Sequence, residues 1–319
     1  MNMIKTKRFS LLILTTAVGF PCFAMQPLDD QSLSSTTGQD GISIGIGMDK
    51  IEFTQAAIID QDGIKDPILG KNYSQAAGLV VAGPTGNPIQ VQFLGHTPGS
   101  STINAKIDTD GGNGTPFANI GITFAEQITG FKLSPFALYI ASSNQVSSAT
   151  QTKSIYNDLK QLVPGVAKIL EIGSADRNFE ITLNQSQRPQ INVQLGNVPQ
   201  GYMVQFGGAI QSICGTGSGC PIAFVSGNSS AKFDFQAKAT DQNNGFSLSG
   251  FHAGVAPSGI YIGNTGQSSK MNVGLNNVML GREGASSPTV FNGLANGSMG
   301  SFGAIGTSVK DLKVNINGL

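Results

Sequence analysis

The sequence predicts an all-β protein, an elongated and mainly antiparallel β-sandwich or layered β-roll with one short helix. Three observations carry this. Apolar residues repeatedly alternate with polar ones at a period of two, the spacing that turns one face of a strand toward a core. The 319 residues hold 42 Gly and no Trp, and only 12% are charged. Together with abundant Ser, Asn and Gln, that composition is short of helix formers and favours strands joined by tight turns.

In chain order, residues 1–24 read as a secretory signal peptide. Lys5, Lys7 and Arg8 form the charged head, Leu11 to Phe20 the apolar stretch, and Cys22-Phe23-Ala24 the cleavage site. Cleavage there removes three cationic residues, leaving 16 Lys and Arg against 19 Asp and Glu, a charge of −3. So balanced a surface has no basic patch with which to bind nucleic acid. No stretch after the leader supplies the roughly 20 apolar residues of a membrane-spanning helix, so the expected product is exported and does not span the membrane.

Residues 25–41 form a polar lead-in, after which the β domain occupies 42–319. Its first strand is the clearest in the chain. Ile42, Ile44, Ile46 and Met48 alternate with Ser43, Gly45, Gly47 and Asp49, which marks this strand as a candidate partner contact. Ile51 and Phe53 fall one register off, placing a turn or bulge at Asp49-Lys50. From Gly78 to His96, the apolar run Leu79-Val80-Val81 and the alternating Ile89, Val91 and Phe93 flank Gly-Pro-Thr-Gly-Asn-Pro, the pattern of a hairpin. The helix is expected over Ile155 to Val163, because Ile155, Leu159, Leu162, Val163, Val166 and Ile169 recur at three- and four-residue spacing. Pro164-Gly165 would end it.

Two short echoes point to internal repetition. The stretch 191–201 matches 271–281, and Ile128-Thr-Gly-Phe131 is echoed by Leu248-Ser-Gly-Phe251. In a Gly- and Asn-rich chain, chance similarity stays open beside a β repeat. The final strand, Leu312 to Leu319, is expected together with the first to be a sheet edge. Donor-strand exchange through the first strand is a competing mode of assembly.

Chemistry is weighed residue by residue. Cys214 and Cys220, in Cys-Gly-Thr-Gly-Ser-Gly-Cys, are an even pair at a spacing that fits a structural disulfide in an exported protein. His96 and His252 sit in no local hydrolase pattern, and neither a nucleophile elbow nor a phosphate-binding Gly-rich loop is present. No catalytic, cofactor-binding or metal residues are therefore assigned, and no enzyme activity is expected. Asp60-x-Asp62-Gly and Asp108-x-Asp110-Gly read as turns, with calcium as the alternative.

The opening of the mature chain carries a resemblance. Leu28-Asp29-Asp30, Leu33-Ser34 and Thr37-Gly38-Gln39-Asp40-Gly41-Ile42 resemble the leader-proximal motif of exported bacterial β-rich proteins of the Fil-type pilus system, the FilA pilus-assembly family. The resemblance implies a non-enzymatic structural or assembly component of a pilus or fimbria-like system, located at the cell surface or in the periplasm. Its implied partners are other pilus subunits or outer-membrane assembly proteins, and it brings no catalytic residues. A calcium- or glycan-binding surface adhesin module is the alternative.

Overall fold

The computed structural model describes residues 41–317 apart from 66–69, 71, 146–152, 197–200, 283–289, 292–293 and 296–298. By contacts the chain divides into Met1–Asp40 and Gly41–Leu319. The signal peptide and nearly all of the lead-in lie outside the described residues.

The class is all-β and antiparallel throughout. The first strands are β1 (Ile42–Ile46), β2 (Lys50–Phe53), β3 (Gln55–Asp60), β4 (Ile64–Lys65), β5 (Asn72–Tyr73), β6 (Ala77–Ala82), β7 (Ile89–Leu94) and β8 (Ile103–Asp110). Next come β9 (Phe117–Phe124), β10 (Gly130–Leu133), β11 (Phe136–Ser142), β12 (Val166–Ile172), β13 (Phe179–Leu183), β14 (Gln190–Gly196), β15 (Val204–Gly207), β16 (Ala209–Ile213) and β17 (Cys220–Ser226). The chain continues with β18 (Ser229–Ala239), β19 (Phe246–Ser247), β20 (Phe251–Ala256), β21 (Gly259–Asn264) and β22 (Met271–Arg282). It ends with β23 (Val290–Phe291), β24 (Leu294–Ala295), β25 (Phe302–Thr307) and β26 (Lys313–Ile316).

Two large sheets organise these strands. One has eight strands in the order β1-β8-β9-β14-β15-β20-β21-β26. The other has fourteen, along the path β2-β7-β10-β13-β16-β18-β17-β12-β11-β6-β3, with β19, β22 and β25 attached. That path begins and ends on β2 and β3, which only Thr54 separates in sequence. The larger sheet therefore curls toward a closed, barrel-like ring.

Comparing the two orders shows how the sheets join. β1 runs on into β2, β7 into β8, β9 into β10, β13 into β14, β15 into β16, β19 into β20, β21 into β22, and β25 into β26. The chain thus crosses between sheets eight times, and neighbouring crossings are tied by main-chain hydrogen bonds. Thr102 N donates to Ile46 O, Ala125 N to Thr102 O, Leu183 N to Thr129 O and Asn184 N to Ala209 O, at 2.8–3.1 Å. The series continues with Leu248 N to Gly208 O, Thr265 N to Gly250 O and Asp311 N to Gly266 O, at 2.8–3.0 Å. The crossings make a belt.

Sequence chemistry explains why strands break there. Gly208 crosses alone between β15 and β16 at φ +73°, where a Cβ would lie 2.0 Å from the Arg188 carbonyl oxygen, so no other residue fits. The Arg188 guanidinium donates to the carbonyls of Ala125, Glu126 and Ile128 and to Gln185 Oε1, satisfying backbone that no strand pairs. Both tetrapeptides of the second echo sit on this belt, Ile128–Phe131 entering β10 and Leu248–Phe251 entering β20. The other echo splits: 191–201 overlaps β14 of the eight-stranded sheet, and 271–281 lies in β22 of the larger one.

Two apolar clusters form the core. One lies against the belt, with Ala125, Ile128 and Leu183 buried and Phe93, Phe124, Phe131, Ile181 and Ile210 packed around them. The other lies on β6 and β11, where Val80, Ala82, Ala137, Tyr139 and Ala141 are sealed by Ile155.

This second cluster corrects the helix expectation. Residues 155–163 contain no helix; they form a looped segment closed by a Tyr156–Leu162 bridge and by Val163 N donating to Ile155 O at 3.0 Å. Asn157 Oδ1 accepts from the amides of Leu159 and Gln161, and Lys160 takes φ +57°. Such a side-chain turn competes with helix. Ile155 is fully buried while Leu159 is 77% exposed, so the apparent periodicity joined residues with opposite fates.

The hairpin over Gly78 to His96 is corrected as well. Both strands exist, but β6 pairs with β3 and β11 while β7 pairs with β2 and β10. Residues 83–88 carry the chain from one arm of the ring to the other. Tyr156 Oη donating to Gly83 O at 2.7 Å and Lys160 Nζ donating to Asn87 Oδ1 at 2.5 Å hold the connection open.

Candidate partner interface

The eight-stranded sheet is amphipathic in complete rows. Ile42, Ile107, Ile120, Val193, Val204, Ala253, Ile262 and Val314 lie side by side, one from each strand. The adjacent row reads Ser43, Lys106, Gly121, Asn192, Gln205, His252, Gly263 and Lys313. An alternation read in one strand therefore extends across the whole sheet, and its apolar face reaches both edges.

Those edges are β1 and β26, the two ends of the order. Each continues through the belt into a further exposed strand of the larger sheet. Among the described residues, β1 leads into β2, which pairs only with β7, and β25, which pairs only with β22, leads into β26. Ile42, Ile44 and Ile46 are 61%, 41% and 39% exposed, and Ile51 and Phe53 extend the stripe. On the far edge Phe302, Ile305, Val314 and Ile316 are exposed, Ile305 to 89%. Natural edges are blunted by charge, proline or a bulge. β1 has none of these, and β26 has one lysine, Lys313.

The predicted contact residues divide accordingly. Ile42, Ile44 and Ile46 stand in β1, paired with β8 of the same chain, so the strand is an edge of its own sheet. Met48 lies beyond β1 in the crossing to β2 and is half-buried. The expected last strand is Lys313–Ile316, with 318–319 outside the described residues. The β25 half of the far edge escaped the sequence reading, because Phe302 and Ile305 stand three residues apart rather than alternating, and the pairing with β22 shifts register between Ala304 and Thr307.

Cys214 and Cys220 form the expected disulfide, with Cα atoms 5.3 Å apart and both residues buried. The bond closes the loop between β16 and β17, which lie end to end along one side of β18. Here the ring forks. Gly219 at φ +103° brings the main chain so close that a Cβ would meet Phe235 O at 2.2 Å. Arg177 Nη1 reaches both Ser218 Oγ, at 3.0 Å, and the buried Asp234 carboxylate, at 2.8 Å, while Asn277 Nδ2 donates to the same carboxylate. Replacing both cysteines by serine should lower stability by about 2 kcal/mol on the chain-entropy account. Denaturant melts of oxidised wild type and the variant measure it, and equal midpoints would mean that Arg177 and Asp234 hold the fork without the bond.

The Asp-rich loops are built as turns. Asp60 Oδ1 accepts from the amides of Asp62 and Gly63, and Asp110 Oδ1 from that of Gly112. The Gly63 amide, then that of Asp62, holds the Asp60 carboxyl below its ordinary pKa. Asp108 pairs with Lys106 at 3.4 Å. Among the described residues no three His, Cys, Asp or Glu side chains gather as metal ligands. His96 Nε2 lies 2.7 Å from Asp49 Oδ1, a pair 47 residues apart that no local motif announces. His252 stacks on Tyr202 with ring centroids 3.5 Å apart. Neither histidine hydrogen-bonds a serine, threonine or cysteine among the described residues. A cavity of about 770 Å³ opens beside Pro84, Pro88, Gln90 and Ser134, where Lys168 and Glu171 pair at 2.8 Å.

Residues 1–83 match the model of a family of unknown function, DUF6160. The matched part takes in residues 1–41 and β1 to β6, and so the whole of the first edge. No curated protein and no solved structure matches the chain. No helix among the described residues is long and apolar enough to cross a membrane.

Proposed function

We propose that this chain is a non-enzymatic structural or assembly component of a bacterial surface pilus or fimbria-like system. It is exported to the cell surface or periplasm and works through edge contacts with other exported subunits or outer-membrane assembly proteins. The observation that carries the reading is the pair of apolar edges at the two ends of the eight-stranded sheet, β1 without a charged residue and β26 with one. A protein acting alone gains nothing from leaving two such edges unpaired, whereas one that joins neighbours by strand addition requires them. The motif at Leu28 to Ile42 supports the choice of pilus biogenesis among structural roles.

Deleting the gene, imaging the cell surface by electron microscopy and fractionating a tagged copy tests this. Loss of fibres is expected, with the tagged protein in the fibre or outer-membrane fraction. Unchanged fibres, with the protein free in the periplasm alone, would refute it. For the adhesin alternative, the turn carboxylates are already engaged by backbone amides.

A further inference from the structure

We infer that the partner of each edge is a second copy of this chain, β26 of one copy adding to β1 of the next so that the eight-stranded sheet continues from subunit to subunit. This deepens the structural reading above and rests on it.

Direction is the first argument. Every neighbour in the sheet is antiparallel, and eight is even, so β1 and β26 run oppositely. A copy translated along the sheet therefore presents β26 to β1 in the antiparallel sense used throughout. The second argument is the belt. β1 and β2 break at residues 47–49, and β25 and β26 break at residues 308–312, so both edges break at the belt. Face and charge agree as well. The apolar row that begins at Ile42 ends at Val314, which keeps apolar against apolar across the joint. Residues 42–53 carry two carboxylates and one lysine, Asp49, Glu52 and Lys50, while residues 302–316 carry two lysines and one carboxylate, Lys310, Lys313 and Asp311.

The register that overlaps all of β26 with β1 and keeps the faces together sets Ile42 against Ile316, Ser43 against Asn315 and Ile44 against Val314. The joint uses different surfaces on its two sides. Contacts of that kind build an open chain of copies when the rotation between them does not close.

Cysteine pairing tests it on the chain carrying Cys22→Ser, in which the native bond between Cys214 and Cys220 leaves only introduced thiols free. Ser43→Cys and Asn315→Cys, purified separately and mixed under mild oxidation, should yield a covalent dimer. Neither should dimerise alone, and the double variant should form a ladder of dimers, trimers and larger species on a non-reducing gel. Adding Ile44→Lys to the double variant should abolish the ladder while circular dichroism stays that of a folded sheet. Dimers from Ser43→Cys alone would replace the joint by a two-fold pairing of β1, and a double variant cross-linked only within one chain would mean that the sheet closes on itself. Either result, or free thiols throughout, overturns the inference. Fibre loss on gene deletion without a ladder would remove self-pairing and keep the pilus role, whereas a ladder with unchanged fibres would do the reverse.

Discussion

Truncating Ile155 to alanine should cost about 3 kcal/mol, as is usual for removing a fully buried branched side chain from a packed core. The side chain has no exposed surface and seals a cluster otherwise made of strand residues, Val80, Ala82, Ala137, Tyr139 and Ala141. The rest of its segment is held mainly by hydrogen bonds, among them Gln55 Nε2 to Lys153 O and Tyr156 Oη to Gly83 O. Gln55 Oε1 accepts from the Ile155 amide at 3.1 Å, and the hydroxyls of Tyr156 and Tyr139 lie 2.6 Å apart. Thermal and urea melts should show the loss, and protease cuts should appear first between Ser154 and Gly165. The paired variant Leu159→Ala should leave stability within about 0.5 kcal/mol, because Leu159 is mostly solvent-exposed. Equal effects at the two positions would mean that the segment packs as a helix after all.

Arg188→Ala should cost about 2 kcal/mol, by leaving the Ile128 carbonyl without a donor and the Ala125 carbonyl with the Ile128 amide alone. One guanidinium serves Ala125, Glu126 and Ile128 on the crossing from β9 to β10, and Ala125 and Ile128 are buried. The Glu126 carbonyl lies at the surface, where water takes the place of the lost donor, so the cost falls on the buried pair. Lysine should restore only part of the loss, since an ammonium cannot spread its donors over three carbonyls with the geometry of a planar fork. Hydrogen exchange should localise the effect to the amides of Ile128 and Thr129, which donate to Ala125 O and Leu94 O. A uniform loss of protection over both sheets would instead assign Arg188 to global stability alone.

These two residues show where the sequence could be read and where it could not. Strand periodicity is a local property, so β1 is legible in Ile42 to Ile46 and β7 in the second run of the 78–96 segment. The disulfide was equally local, because the five residues of Gly-rich chain between the cysteines leave little choice of partner. Pairing is not local. β6 and β7 look like a hairpin in sequence, yet which strand lies beside each is decided by β3 and β11 on one arm and by β2 and β10 on the other. Ile155 to Val163 failed for a related reason, since one buried side chain and an Asn157 turn override a spacing that has no memory of burial. The belt was invisible. Its polar groups, Arg188 above all, answer to backbone carbonyls some 60 residues earlier in the chain. At the candidate interface, the sequence offered the apolar stripe of β1 but not its continuation from strand to strand across the sheet.

The crossings also set the timing of folding. Only β8 with β9, β14 with β15 and β20 with β21 join as local hairpins in the eight-stranded sheet. Ile42 must meet Ile107, Ile120 must meet Val193, Gln205 must meet His252, and Ile262 must meet Val314, each pair closing a loop that contains an excursion through the other sheet. Closure over such distances is entropically uphill until the excursion itself is ordered, which puts chains of this kind among the slow folders, milliseconds to seconds or longer. A newly made chain would therefore stay extended and threadable for that interval, and its first edge, at β1, would wait for β8 before it had any neighbour at all.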